Sequence, residues 1–351
     1  MKLYINGRFL TQPMTGVERY AYNICKAMCA LHQSFTIVCP KAPIHQDYDV
    51  SDLNIIHYGI GNSHFWEQCV LPFFFIDKKN YLVVSFTGLG SILIRRKIMT
   101  IHDLAFLKNP AWYSRAYYWY YRLMTPLAVK TSQHILTVSE FSKNEILRFY
   151  PLLNGEKISV VYNAIDRQLF KTCADVSQPE DRFILCVSSI DPRKNFARLI
   201  EACKDLTGAK LYIVGKYNRI FNQQMELDTD SDHIHFLGRV SDEELVRLYN
   251  QAVCFVFPSL YEGFGLPPLE AMACGCPVLV SDIPVEREVC GDAALYFNPL
   301  EPSEILHIIT QYLSNTDVIK ETMRQKGYEN LTRFSWEKSA RALMEIIKTD
   351  C

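Results

Sequence analysis

The chain alternates short, apolar, β-rich runs with helical patterns, twice over, and this alternation restricts the fold more than any other feature. FTIVCP (35–40), LNIIHY (53–58), YLVVSF (81–86), KIMTIHD (97–103) and HILTVS (134–139) read as strands buried on both faces, as in a parallel sheet. After Pro151 the pattern restarts with KISVVYN (157–163), RFILCVSS (182–189), KLYIVGK (210–216), IHFLG (234–238), VCFVFPS (253–259) and CPVLVSD (276–282). Helical spacing fills the gaps. Behind Thr15 and Gly16, the residues Val17, Tyr20, Ala21, Ile24, Ala27 and Met28 share one stripe. Helices are expected over 195–204 and 242–250, the second opened by SDEEL with a capping serine and early acids. Two successive βα arrays predict an α/β chain of two doubly wound, Rossmann-like domains facing across a cleft. The joint falls near residues 163–180, where TCADVSQPED is polar and breaker-rich. Ligands in such folds bind beyond the carboxyl ends of the strands.

Composition removes several classes of function. A 351-residue chain with 49% hydrophobic and 21% charged residues describes a globular protein with a full core. The net charge of −1 argues against nucleic acid as a partner, so any anion site is local. Twelve cysteines show no zinc-type pairing of pairs, so no metal is expected, and reduced, mostly buried thiols point to a cytoplasmic protein. MKLYINGRFL lacks the apolar core of a signal peptide. No window reaches the roughly 18 uninterrupted apolar residues of a membrane span.

One stretch carries chemistry. SLYEGFGLPPLEAMACGCPVLVSD (259–282) follows the strand VCFVFPS and places Glu262 in a loop and Glu270 in the first turns of a helix. Gly263 and Gly265 let the backbone approach a ligand, and prolines suit the first helical turn. Freed N–H groups and the helix dipole make a phosphate site, while carboxylates beside it suit hydroxyl groups. A ligand bearing both phosphates and sugar hydroxyls is expected. Read singly, Glu270 could merely complement the helix N-terminus and Glu262 could be solvated.

The ordered set TGVERYAYNI, TIHDLAF, ILTVSEFSKNEI, VVYNAID, VSSIDPRKNFARLIEA, HFLGRVSDEEL, EGFGLPPLEAMACGCPVLVSD and RFSWEKSARAL resembles the retaining GT-B glycosyltransferases of glycosyltransferase family four. The resemblance implies sugar transfer from a nucleotide-sugar donor, weakly GDP-mannose, to a growing glycan or lipid-linked acceptor in polysaccharide or lipopolysaccharide assembly. It implies retention by front-face attack, without metal or other cofactor. Glu262 then meets the donor sugar, Glu270 the ribose, and Lys194, with Arg193 beside it, the diphosphate. Gly16 brings backbone N–H groups to the diphosphate, and His102 meets the donor sugar near its reacting face. Gly238 and Val240 line the base pocket, and Gly263, Phe264, Gly265 and Leu266 complete the donor loop. The implied domains are an acceptor-side domain at 1–165, with helix 334–351 packing back on it, and a donor domain at 166–333. Three departures stand out: Ser188 replaces a frequent arginine, Val17 follows Gly16 in place of a second glycine, and Ala164 replaces a frequent glycine.

The acceptor side is less legible. AWYSRAYYWYYRLMTPLAVK (111–130), with Arg95, Arg96 and Lys97, suits peripheral contact with the cytoplasmic membrane face, stacking on sugar rings, or packing by one aromatic face. His233 and His235 alternate on a strand without an evident third metal ligand. Two other functions remain open, a catalytically silent nucleotide-sugar-binding subunit and a glycoside hydrolase using Glu262 and Glu270 as its carboxylate pair.

Overall fold

The computed structural model describes residues 1–173, 179–189, 191–215 and 233–349. Residues 174–178 of the expected joint and Lys216 of an expected strand lie outside these. Two compact units emerge, one built from residues 1–164 with the C-terminal stretch from Ser335, the other from 165–334.

The first unit holds a seven-stranded sheet of β1 (Lys2–Asn6), β2 (Thr36–Cys39), β3 (Ile55–His57), β4 (Tyr81–Ser85), β5 (Lys97–Thr100), β6 (His134–Thr137) and β7 (Ile158–Val160). Its order is β3-β2-β1-β4-β5-β6-β7, with every pairing parallel. The second unit has β8 (Phe183–Val187), β9 (Lys210–Val214), β10 (Ile234–Gly238), β11 (Cys254–Phe257), β12 (Val278–Ser281) and β13 (Ala294–Phe297). Their order is β10-β9-β8-β11-β12-β13, again all parallel. In each sheet the strand order reverses beside its first strand, between β1 and β4 and between β8 and β11. Loops leaving a switch point diverge to opposite faces and open a crevice.

Two strands escape the periodicity argument. In β1 the apolar run is only Leu3, Tyr4 and Ile5 between Lys2 and Asn6, too short to signal a strand, yet it lies inside its sheet between β2 and β4. Edge strand β13 is half-buried for most of its length. The edge strand β3 also corrects the expectation of burial on both faces, because Ile56 and His57 are exposed. The helix Gly16–Ala30 buries Tyr20, Ala21, Ile24, Cys25 and Met28, whereas Val17 and Ala27 flank that stripe. The helix Trp336–Thr349 packs on it through Ser339, Ala340, Leu343 and Ile347. Ser339 Oγ also donates to the Tyr162 carbonyl at 2.7 Å.

The aromatic segment forms the helix Arg115–Thr131, capped by Ser114 Oγ accepting from Tyr117 N. Tyr118, Tyr121 and Met124 pack inward, while Trp119, Leu123 and Leu127, spaced by four, stay 52%, 63% and 47% exposed. Lys97 does not belong with Arg95 and Arg96 on the surface. It starts β5, fully buried, and donates to the Ser91 carbonyl at 2.6 Å and Thr131 Oγ1 at 2.9 Å. No described helix is long and apolar enough to cross a membrane.

Candidate active site

In the second unit, β8 and β11 are adjacent, with Cys254 beside Ile184 and Phe255 beside Leu185, so their carboxyl ends emerge side by side. After β8, Asp191 Oδ1 accepts from Arg193 N at 3.1 Å and starts a single 3₁₀ turn, Pro192–Lys194. Asn195 ends this turn in the left-handed region at φ 59°. Its side-chain amide donates to the carbonyls of Pro258 at 3.1 Å and Pro299 at 2.7 Å, and Leu260 N donates to the Arg193 carbonyl at 2.8 Å. These bonds stitch the two loops together and fix where Lys194 and Glu262 point.

Lys194 Nζ lies 2.5 Å from Glu262 Oε1, and Arg193 Nη1 lies 3.7 Å from Glu262 Oε2. Both Lys194 and Glu262 are buried, with the ammonium 5.6 Å from the Phe257 ring centre. Burial alone would raise the Glu262 carboxyl. Lys194 and Arg193 outweigh it and hold the group below the usual carboxylate range. Glu262 is therefore ionised at neutral pH.

Gly265, at the N-cap of the helix Leu266–Ala273, sits at φ 90°, and an added Cβ there would lie 2.7 Å from Glu286 Oε1. Gly263 and Phe264 are buried, Phe264 edge-on to Phe334 at 5.4 Å, and Leu266 begins the helix half-buried. The Phe264 ring thus serves packing. Glu270, one turn into the helix and half-buried, accepts from Tyr249 OH at 3.2 Å. Gly238 takes φ 70° at a register shift ending β10, with open space where a Cβ would stand, and Val240 follows half-buried. Periodicity did not single out Asp191 or Asn195, although Asp-Pro-x-x-Asn is itself a turn signal. Glu286 was also missed. Its spacing of four from Cys290, on the stripe of Val285 and Val289, was the available sign.

In the first unit, Gly16 opens its helix with no atom within 4 Å of an added Cβ. The hydroxyl of Thr15 is bonded to the Glu18 carboxylate instead of capping the helix. His102 follows β5. Its Nε2 is 2.7 Å from the Phe86 carbonyl, its ring stands edge-on to Tyr20, and burial pushes it below the usual imidazole range. A cavity of about 150 Å³ beside it is lined by Val17, Thr87, Thr100, Asp103, Tyr117 and Thr125, among others. The hydroxyls of Thr100 and Thr125 are buried there without a hydrogen-bond partner among the described residues. The Tyr113 and Tyr117 rings stack at 4.9 Å, and Tyr121 lies tilted against Tyr117 at 4.4 Å. Among the described residues no group of three or more His, Cys, Asp or Glu side chains is placed to hold a metal ion; His235 instead meets Tyr212 edge-on.

Comparison with known proteins matches residues 174–346 to the model of the glycosyl transferases group 1 and residues 14–169 to that of Glycosyltransferase Family 4. The chain is 31% identical over 320 residues to the O-antigen chain mannosyltransferase RfbU of Salmonella typhimurium, covering 85% of this chain and 87% of the relative. It is 33% identical over 260 residues to the O-antigen chain mannosyltransferase B of Escherichia coli, covering 70% and 68%. Its fold matches that of the Anabaena protein HepE, solved in complex with UDP and glucose, with a TM-score of 0.77 at 18% identity over 99% of each chain.

Proposed function

The chain belongs to the group 1 glycosyl transferases of glycosyltransferase family 4, with two Rossmann-like domains of the GT-B kind, and on that premise we propose that it moves a hexose from a nucleotide sugar to a growing glycan. The observation that carries this reading is the buried pair of Lys194 and Glu262, with half-buried Arg193 beside it, at the carboxyl ends of β8 and β11. Breaking the bond from the anomeric carbon to the diphosphate leaves positive charge on the sugar and an electron pair on the departing oxygen. Lys194 and Arg193 stabilise the leaving diphosphate, and ionised Glu262 stabilises the sugar cation. The acceptor hydroxyl bonds to the anomeric carbon on the face being vacated, and its proton passes to the diphosphate oxygen, so the configuration is retained. The diphosphate charge is then met by protein cations, and no metal or other cofactor is required. Glu270 receives the ribose hydroxyls, Gly238 and Val240 border the base, and the 263–266 backbone meets the donor. For His102 and Gly16 we propose contacts with the transferred sugar and the diphosphate respectively.

The names of the two O-antigen relatives favour mannose, hence GDP-mannose, as the donor, and an O-antigen-type lipid-linked glycan as the acceptor. The cavity with its unpartnered Thr100 and Thr125 hydroxyls and stacked tyrosines suits the terminal sugar of that acceptor. The stripe of Trp119, Leu123 and Leu127, on a helix carrying Arg115, Arg122 and Lys130 but no acidic residue, suits an anionic bilayer surface. The protein then works on the cytoplasmic membrane face, where a lipid-linked acceptor is presented.

The test is GDP release from GDP-mannose with an α-mannoside acceptor, in EDTA, with the product linkage read by NMR. An α-linked product supports the reading. An inverted product, or hydrolysis of a simple mannoside without nucleotide, contradicts it. Binding without turnover of any donor would favour a silent binding subunit.

A further inference from the structure

Glu286 stands on the helix Pro284–Cys290, entirely buried, and faces the loop that carries Glu262. Its Oε1 occupies the space that any side chain at position 265 would need, 2.7 Å from that missing Cβ. Among the described residues Oε1 has no hydrogen-bond partner, and Oε2 accepts only the weak donor Cys290 Sγ, at 3.6 Å. From β13, Tyr296 OH donates to the carbonyls of Glu286 and Gly291 and leaves the carboxyl group alone. Arg333 donates to the carbonyls of Glu288 and Val289, and Arg287, on the same helix, pairs outward with Asp282.

Two carboxyl groups thus share one buried neighbourhood, and both nearby cations already face Glu262. An unpaired, unsolvated carboxylate at Glu286 would be an uncompensated charge beside a second one, so the group keeps its proton. Burial and the Glu262 charge push Glu286 well above the usual carboxylate range, with Lys194 opposing, while Glu262 is held below it. Two acids with environments that split them are the usual arrangement when each has its own task.

We propose that Glu286 is a positioning residue of the donor site: as a neutral acid behind Gly265 it braces the left-handed turn of the 263–266 loop and keeps a further negative charge away from the cations that receive the diphosphate. The proposal rests on the donor-site reading given above. Lys194 and Arg193 bring two positive charges, and Glu262 and Asp191, whose Oδ1 lies 3.9 Å from Arg193 Nε, bring two negative ones, so the cluster is balanced. Ionised Glu286 would turn it net negative, so donor binding weakens as pH rises.

Two experiments on the full chain separate this proposal from the donor reading. Infrared difference spectra between the wild type and Glu286→Gln at neutral pH should contain the band of a protonated carboxyl group, shifted in D₂O; its absence overturns the proposal whatever the protein transfers. Donor KM is then followed from about pH 6 to about pH 9. In the wild type it should rise on the alkaline side by on the order of tenfold, while in Glu286→Gln, which cannot ionise, it stays level. Superimposed profiles overturn the proposal. Should Glu286→Gln not fold, Cys290→Ala removes the thiol donor that favours the ionised form, and the alkaline rise should move to higher pH. An unmoved rise overturns it. Absence of turnover with every nucleotide sugar would sink the donor reading, with the infrared band still deciding the state of Glu286.

Discussion

Lys194 and Glu262 are separated by 68 residues of sequence and 2.5 Å of space. Their meeting follows from the switch point, which places β8 next to β11, and from the Asn195 and Leu260 bonds that tie the two following loops. A buried pair of this kind contributes little net stability but is costly to break. Lys194→Met leaves Glu262 with Arg193 alone and should destabilise the protein by about 3 kcal/mol in denaturant unfolding. Adding Glu262→Gln should restore most of that loss. Turnover should fall about a hundred- to a thousandfold in each single variant and stay low in the double one. A double variant that regains activity with stability would mean the pair is structural only.

The charge of Glu262 has a pH consequence. Its folded pKa lies below the unfolded value, so its contribution to stability is present above the ordinary carboxylate range and is lost as pH falls through the folded pKa. In Glu262→Gln the acid limb of the stability profile should be shallower than in the wild type. Parallel limbs would show that Glu262 is not held ionised by its neighbours.

Lys97 predicts an opposite limb. Burial lowers its pKa to about 8, with Glu67 opposing. Below that pH the ammonium is protonated in both states, at a constant cost. Between about 8 and the unfolded value of about 10.5 the unfolded chain holds more protons, and stability rises with pH. The wild type should gain about 3 kcal/mol over that window relative to Lys97→Met, measured by urea unfolding. A flat difference would mean the ammonium is not desolvated in the folded protein.

These residues mark how far the sequence was legible. Lys194 and Glu262 could be named because strand-loop-helix patterns put each at a strand end, and the motif resemblance added roles. Lys97 was misjudged because Arg95-Arg96-Lys97 reads as a surface run, although the strand it opens is buried along its whole length. Glu286 was hidden in VEREV, a stretch that looks like a solvated helix until the fold shows which side faces the donor loop. Strand β1 was overlooked because a three-residue apolar run is too short to score, and only its two parallel neighbours make it a strand. Local pattern reveals elements; what they bury depends on partners distant in sequence.

The cavity beside His102 should respond to loss of its unused hydroxyls. Thr100→Val and Thr125→Val remove groups that lack partners in the folded protein, so stability should change by less than about 1 kcal/mol. Acceptor KM should rise about tenfold in each, with donor KM unchanged. Equal effects on both substrates, or none, would place the acceptor elsewhere.

The exposed stripe gives a vesicle test. Trp119→Ser with Leu123→Ser should reduce co-sedimentation with vesicles rich in anionic phospholipid, without altering the melting temperature, since both side chains are exposed. Wild-type protein that stays in the supernatant at low salt would remove the membrane role.

The central claim is that Lys194 and Arg193 receive the diphosphate of a nucleotide sugar beside Glu262. Calorimetric titration with GDP, UDP, ADP and dTDP in EDTA, on the wild type and Lys194→Met, tests it most directly. One nucleotide should bind the wild type, and Lys194→Met should weaken that binding about a hundredfold, nearly 3 kcal/mol. Equal binding by the wild type and Lys194→Met, or none of the four nucleotides bound, would contradict the account.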